Sequence, residues 1–166
     1  MIVINSVSRV QVALDALHLG SEIRTFAVPT GTAQEAADAI GCALGAIVKS
    51  LCFIVNGEPV LVLAAGDKQV DSKALRRIFG VSKRQVKIAD VETVRRVTGF
   101  EVGGVAPFGH LQPMTILIDR SLSRFETVYA AAGSSNTIFP IAYADLVAST
   151  GGQGCDLVKE KEEIDG

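Results

Sequence analysis

The sequence predicts a single α/β (α+β) domain with a mixed sheet flanked by helices. Segments with helical periodicity alternate with apolar, strand-like segments along the chain, and at least one pair of strands is joined as a hairpin. The chain has 166 residues, of which 48% are hydrophobic and 20% are charged. These values predict one substantial hydrophobic core and exclude a disordered chain.

The N-terminal part is predicted to contain two helices and a short strand. Apolar side chains recur at helical spacing from Val7 to Leu17, and Thr32 and Glu35 have the spacing of a capping box. Glycines are expected to end both helices. The predicted elements are a helix over 6–19 ended by Gly20, a strand over 22–28, and a helix from Thr32 to Ile40 ended by Gly41.

The central part is predicted to form a hairpin followed by two helices. Residues 51–55 and 60–64 are apolar on both faces, and the segment 56–59 between them is typical of a turn. We therefore expect both strands to be covered, near the centre of the sheet. Two capped helices are predicted next, from Asp71 to Phe79 and from Asp90 to Val97.

The C-terminal part begins with a segment rich in glycine and proline, 99–113, which has no periodicity. The elements predicted after it are strands over 114–118, 126–132 and 137–141 and a helix over 143–149. The predicted domain covers residues 1–155. Residues 156–166 are expected to be an acidic tail, frayed over its last ten residues.

Charge is distributed unevenly along the chain, although the net charge is only −2. Residues 68–96 carry nine bases and three acids, a local charge of +6. Such a segment can attract a phosphate backbone, or it can be an ordinary solvated helix face. The sequence has no secretory signal, no membrane-spanning apolar stretch and no cysteine or histidine spacing typical of disulfides or zinc. The cytoplasm is therefore the expected compartment.

Lys49 is the only charged residue between Cys42 and Val55. In such apolar surroundings its ammonium group needs an anionic or carbonyl partner, or its pKa must fall. An ammonium group fixed beside a pocket could hold a carbonyl oxygen or a phosphate as charge develops. The alternative is a structural lysine that reaches solvent at a helix-to-strand junction.

Two glycine-containing segments are candidate ligand loops, although each could equally be a surface turn. Gly103–His110 contains three glycines and a proline, and Gly133–Asn136 offers backbone donors, two hydroxyls and an amide. Neither is a phosphate-binding P-loop or a dinucleotide fingerprint. The spacing of Ser134, His110 and Asp119 does not support a catalytic triad, so His110 is expected to be structural.

Four motifs, in this order, resemble the YbaK/prolyl-tRNA synthetase-associated domain family. They are Ile47–Leu51, Val60–Leu63, Gly103–Gly109 and Ala132–Ser134, and the resemblance extends over residues 5–150. It implies a compact α/β domain with a mixed, barrel-like sheet. It also implies hydrolysis of the ester that joins a wrong amino acid to the 3′ end of a tRNA. In length, the chain is similar to the freestanding members that act in trans.

The resemblance also implies which residues form the site. Lys49 matches the functional lysine of the family. The expected substrate-binding residues are Ser50, Gly103, Gly104, Pro107, Gly109, Gly133 and Ser134. The basic residues that are candidates for tRNA binding are Arg76, Arg77, Lys83 and Arg84. A side chain added at Gly104 is expected to obstruct the substrate more than it lowers stability.

The expected activity is trans-editing deacylation of a mischarged tRNA. The expected substrate is tRNA(Pro) carrying a small non-cognate amino acid, with prolyl-tRNA synthetase as a further partner. Water would attack the ester without a covalent nucleophile, and no metal or organic cofactor is expected. Two alternatives stay open: a non-catalytic module that binds a tRNA end or a nucleotide-like ligand, and an enzyme that forms a Schiff base through Lys49.

Overall fold

The computed structural model describes residues 5–159 of the chain. Within that range, the α-helices are α1 (Ser6–Ala16), α2 (Ala33–Ile40), α3 (Ser72–Phe79), α4 (Val91–Thr98) and α5 (Tyr143–Thr150). The strands are β1 (Arg24–Thr25), β2 (Val48–Val55), β3 (Glu58–Ala65), β4 (Val86–Ile88), β5 (Thr115–Asp119), β6 (Thr127–Ala131), β7 (Thr137–Ala142) and β8 (Gln153–Cys155). Short 3-10 helices span Leu44–Ala46, Lys83–Gln85 and Arg120–Arg124.

The strands form two sheets. One has three strands in the order β1-β7-β6, and the other has five in the order β4-β2-β3-β5-β8. In the larger sheet β2 pairs antiparallel with β3 and β4, whereas β3, β5 and β8 run parallel. A single bridge between Ile47 and Tyr129 links the sheets at the start of β2. The predicted mixed α/β fold is confirmed, but the described strands do not close into a barrel.

The main core lies between the two sheets. Leu61 of β3 packs there in one cluster with Val128 of β6. The opposite face of the larger sheet is covered by α3 and the C-terminal segment, where Val62 packs with Leu75 and Leu157. Neighbouring residues of β3 therefore enter different cores, since side chains alternate along a strand. This explains why the strand is apolar on both faces and confirms its central position.

The predicted caps set the boundaries of α2, α3 and α4, whereas α1 ends at Ala16 and not at the predicted stop, Gly20. Thr32 and Glu35 form reciprocal capping-box bonds of 3.1 Å at the start of α2. The carboxylates of Asp71 and Asp90 accept backbone N–H bonds at the starts of α3 and α4. Glycines in the left-handed conformation end four helices: Gly41 after α2, Gly80 after α3, Gly99 after α4 and Gly151 after α5.

The C-terminal segment differs from the expectation. Leu157 is fully buried, and its backbone N–H donates to the carboxylate of Asp119 at 2.6 Å. The backbone N–H of Lys159 bonds to the carbonyl of Gln69 at 2.8 Å. The predicted frayed tail is therefore wrong for 157–159, because an apolar residue inside the acidic segment packs under α3; the rest of the tail lies outside the described residues. Within residues 5–159, every helix is too short or too polar to cross a membrane.

Candidate active site

A cavity of about 320 Å³ opens where the two sheets meet at the start of β2. Its walls come from residues 30–36, from β2, from residues 102–105, and from β6 and β7. Most of the lining is apolar, and its polar groups include Lys49, Ser50 and Tyr129. Among the described lining residues there is no carboxylate and no imidazole, the two kinds of group that most often act as general bases.

Lys49 is the only charged side chain among the described residues that line this cavity. Its ammonium group donates a hydrogen bond to the backbone carbonyl of Lys68. Burial lowers the pKa of Lys49, and the nearby carboxylate of Asp67 partly opposes that change. A lysine ammonium has three donors, and a neutral carbonyl occupies one of them. The group can therefore still donate to an oxygen of a bound substrate.

Ser50 is the second polar residue of β2 that lines the cavity. Its Oγ is buried without a hydrogen-bond partner among the described residues. Strand β4 pairs with β2 only at residues 53–55, so the outer edge of β2 has no strand partner at Ser50. Cys52 uses this same edge to accept a bond from Ala89, and residues two apart in a strand point their backbone groups the same way. The Ser50 N–H and C=O therefore face an open gap.

The glycine–proline loop contributes one of its predicted residues to the wall. Gly103 lines the cavity with φ +93°, a conformation that favours glycine. Gly104 lies behind it, where a Cβ atom would come within 2.8 Å of the Ser134 backbone. Gly104 therefore lets two loops pack together and is not a lining residue.

Pro107 and Gly109 are not among the described residues that line the cavity, so the structure does not bring these two predicted substrate-binding residues to the pocket. Pro107 is buried, and the carbonyl of Gly109 accepts a bond of 3.3 Å from the guanidinium of Arg9 on α1. The loop turns towards α1 after residue 105, and its second half packs against that helix. Glycine and proline spacing alone could not show where the loop leaves the pocket.

Gly133 and Ser134 support the pocket from outside, because neither lines the cavity. A Cβ at Gly133 would lie 2.7 Å from the Ser6 carbonyl oxygen, so only glycine fits against the start of α1. The Ser134 hydroxyl donates to the side chain of Asn136 at 2.8 Å, and the Asn136 amide donates to the Phe26 carbonyl at 3.1 Å. These contacts hold the segment leading to residue 30, and a direct contact of Gly133 or Ser134 with substrate stays a prediction.

Sequence reasoning missed the wall formed by Thr30 and Gly31. The Thr30 N–H donates to the Ser135 carbonyl at 2.6 Å, which ties this segment to the turn between β6 and β7. Gly31 approaches the backbone of Gly103 across the cavity rim. The Val28–Gly31 segment combines proline, threonine and glycine before a helix cap, and this signal could have marked it as a candidate loop.

His110, Ser134 and Asp119 do not form a triad. The Nε2 of His110 pairs with the Ala106 carbonyl at 2.7 Å, and burial lowers the pKa of the imidazole. The Asp119 carboxylate accepts the backbone N–H groups of Ser121 and Leu157. Because each group is engaged with different partners, the prediction that His110 is structural is consistent with its contacts.

A basic groove lies next to the pocket. We define it by its charged lining: Lys68, Lys73, Arg76, Arg77, Lys83, Arg120 and Lys159, together with Asp71, Asp119 and Asp156. Of the four candidate tRNA-binding residues, Arg76, Arg77 and Lys83 line this groove, whereas Arg84 does not. The groove adjoins the pocket at Lys68, whose carbonyl accepts the hydrogen bond from Lys49.

A match to a family model shows which protein family the chain belongs to. The model of the aminoacyl-tRNA editing domain matches residues 27–148. The chain belongs to the aminoacyl-tRNA editing domain family. All of the described residues that line the cavity fall inside the matched range of this editing domain. The predicted relationship to prolyl-tRNA synthetase-associated domains is thereby confirmed.

Individual relatives of this editing domain include freestanding chains and parts of synthetases. The chain is 37% identical over 127 residues to the uncharacterised YwhH protein of Bacillus subtilis, and the match covers 76% of this chain and 79% of YwhH. It is 29% identical over 125 residues to the proline–tRNA ligase of Lactobacillus acidophilus, covering 75% of this chain and 22% of the ligase. The chain thus spans about a fifth of the length of the proline–tRNA ligases it matches.

A solved structure of similar size shares the whole described fold. It is described as a candidate trans-editing enzyme for prolyl-tRNA synthetase, and it matches with a TM-score of 0.87 at 36% identity. The match covers 93% of this chain and 98% of that one.

In residues 5–159, no group of three or more histidine, cysteine, aspartate or glutamate side chains is placed to hold a metal ion.

Proposed function

We propose that this protein is a trans-editing aminoacyl-tRNA deacylase, whose substrate is tRNA(Pro) carrying a small non-cognate amino acid. The observation that carries the proposal is Lys49, a lone ammonium held by a neutral carbonyl at a mostly apolar cavity. Membership of the editing family supports the reaction class. Similarity to proline–tRNA ligases and to the candidate trans-editing structure supports tRNA(Pro) as the substrate.

Different residues of the pocket have different roles in ester hydrolysis. Water attacks the carbonyl carbon, the bond to the terminal ribose oxygen breaks, and that oxygen takes a proton. Lys49 donates to the carbonyl oxygen or a terminal phosphate and stabilises the negative charge that develops. The backbone groups of Ser50 and Gly103 orient the ester. Since no carboxylate or imidazole is among the described lining residues, we assign the role of assisting the attacking water to a ribose hydroxyl of the substrate.

Selectivity for a small amino acid comes from the apolar walls. Ala36, Ile47 and Ile138 line the cavity and are buried in one cluster, so they have little freedom to move aside for a larger side chain. Release of the amino acid from mischarged tRNA(Pro), with the protein in excess, tests the proposal. Binding of the tRNA without release would instead indicate the non-catalytic module.

A Schiff-base enzyme is the second candidate, and the lowered pKa of Lys49 is the observation that favours it. A neutral amine is the nucleophile that condenses with a carbonyl substrate. Borohydride added during turnover would reduce such an adduct and leave a stable mass increase on the peptide that contains Lys49. The deacylase proposal predicts no such mass increase.

The basic groove is the proposed site for the acceptor stem of the tRNA. Among the residues that the structure describes, seven bases and three acids line it, although the whole chain has a net charge of −2. Phosphates attract such local charge regardless of the total. Arg76 and Arg77 line the groove, and the planar guanidinium group can donate paired hydrogen bonds to phosphate oxygens.

Reversing Arg76, Arg77 and Lys83 together to glutamate should weaken binding of intact tRNA and flatten its salt dependence. For every phosphate that the protein no longer neutralises, the slope of log affinity against log salt should become shallower by about 0.7–0.9. The matched control reverses Arg84, Lys87 and Arg96, exposed bases from the same segment that do not line the groove. Equally weakened binding in the two triple variants would show that the groove has no special role. Hydrolysis of a short aminoacyl-adenosine mimic should stay near the wild-type rate in both.

A further inference from the structure

Lys49 is held by a turn that is itself tightly fixed. We call residues 65–68 the lysine-holding turn. The Gly66 N–H donates to the Ile47 carbonyl at 2.8 Å, and the Lys68 N–H donates to the Ala65 carbonyl at 3.0 Å. These bonds tie the turn to the residue just before β2 and direct the Lys68 carbonyl towards the ammonium of Lys49.

A bidentate ion pair anchors this turn to a distant part of the chain. Asp67 accepts two hydrogen bonds from the guanidinium of Arg124, at 2.7 and 3.0 Å. The Nε–H of the same guanidinium donates to the Ser121 carbonyl at 2.6 Å, and the group also lies over the ring of Phe125. Arg124 therefore uses its planar fork to join the lysine-holding turn to the 3-10 helix after β5.

Two glycines allow this arrangement to lie close to the start of β2. A Cβ at Gly45 would come within 2.8 Å of the Arg124 guanidinium and 3.1 Å of the Asp67 carboxyl carbon. A Cβ at Gly66 would come within 2.5 Å of the Leu44 carbonyl oxygen. The pair thus packs directly against the segment that leads into the strand of Lys49.

We propose that Asp67 and Arg124 are positioning residues that hold the Lys49 ammonium in place for the deacylation reaction. The pair fixes the lysine-holding turn, and the turn presents the Lys68 carbonyl. Neither residue lines the cavity, so neither contacts the substrate directly. This inference rests on the proposed function for its kinetic consequence, but the state of Lys49 can be measured independently of any activity.

The charged groups around Lys49 allow two effects of Asp67 and Arg124 to be distinguished: their electrostatic effect on the pKa of Lys49, and their mechanical effect on the lysine-holding turn. The lysine-holding turn contributes Asp67 and Lys68, the 3-10 helix contributes Arg124, and β6 contributes the phenol of Tyr129 at the cavity wall. Helix α2 contributes no charged group to the lining. The Asp67 carboxylate raises the pKa of Lys49 against the effect of burial. Arg124 lowers the pKa of Asp67, which keeps the carboxylate ionised, and its positive charge offsets the effect of that carboxylate on Lys49.

Asp67→Asn and Arg124→Gln should therefore shift Lys49 in opposite directions while both loosen the turn. Removing the carboxylate lowers the pKa of Lys49 further, and removing the guanidinium leaves Asp67 free to raise it. The pKa is measured by NMR titration of the ¹³C-labelled lysine ε-methylene, assigned by its loss in Lys49→Ala. We expect the kcat/KM of deacylation to fall about tenfold in both variants.

Two further variants complete the test. Arg124→Lys keeps the charge but loses the bidentate fork, so the pKa of Lys49 should stay near its wild-type value while activity recovers only in part. Arg95→Gln is the matched control, because Arg95 makes an equally short bidentate pair with Glu101 on an exposed surface. It should change neither readout.

Unchanged Lys49 titration and unchanged kcat/KM in both Asp67→Asn and Arg124→Gln would overturn the positioning role. Shifts of Lys49 in the same direction in both variants, together with a fall in kcat/KM, would support positioning through the turn alone and contradict the electrostatic effect of Asp67. A wild-type protein without deacylase activity would contradict the proposed function instead. In that case, opposite pKa shifts of Lys49 in the two variants would still show that Asp67 and Arg124 act on the Lys49 ammonium.

Discussion

Lys49→Ala should lower the single-turnover rate of deacylation at least about tenfold, which corresponds to about 1.4 kcal/mol of transition-state stabilisation. Lys49 is the only charged group among the described residues of the cavity lining. No other described residue of the lining can replace its positive charge as the ester carbonyl becomes an oxyanion. The measurement is the first-order rate of amino-acid release at saturating protein, which separates chemistry from binding.

The fold should survive this substitution. Burial lowers the pKa of Lys49, so its charged form is less favourable in the folded protein than in water. The thermal midpoint of Lys49→Ala should therefore stay close to that of the wild type. Lys87→Ala, which removes an exposed lysine of β4, is the control for a general loss of charge. Near wild-type release by folded Lys49→Ala would show that the ammonium has no catalytic role.

Gly104→Val should destabilise the fold by about 3 kcal/mol, because a Cβ there meets backbone that cannot rotate away. The nearest atoms are the N, Cα and C of Ser134, all at 2.8 Å. For a chain of this size, the thermal midpoint should fall by about 6–12 °C. This replaces the sequence-based expectation of a substituent that obstructs the substrate, since Gly104 lies behind the pocket wall.

Gly31→Ala provides the comparison for Gly104→Val. A methyl group at Gly31 would make ordinary contacts of 3.6 Å or longer, and the residue lines the cavity. Its stability should therefore stay near the wild-type value while the KM for the aminoacyl-tRNA rises. Full thermal stability of Gly104→Val would contradict the close packing of the two loops.

The local structure could be predicted from the sequence because caps, turns and apolar periodicity depend on neighbouring residues. Thr32, Asp71 and Asp90 cap the helices as predicted, and the apolar strands β2 and β3 form the expected hairpin. Lys49 could also be singled out locally, since it is a lone charge in an apolar segment. Each of these features is encoded within a few residues.

Features that depend on distant contacts could not be predicted in the same way. Asp67 and Arg124 pair across 57 positions of sequence, and nothing near either residue indicates the other. Pro107 and Gly109 share a motif with Gly103, but the chain turns away from the cavity between them. Leu157 looks like part of an acidic tail until its burial is known. Packing in three dimensions decides all of these cases.

The most direct test of the deacylase proposal is single-turnover release from a panel of tRNA(Pro) molecules charged with alanine, cysteine, serine, threonine or proline. Protein in excess over tRNA removes any limit set by product release. We predict release well above the spontaneous rate for at least one small non-cognate amino acid, and no acceleration for proline. If folded protein binds these tRNAs and accelerates release from none of them, the proposed deacylase function is wrong.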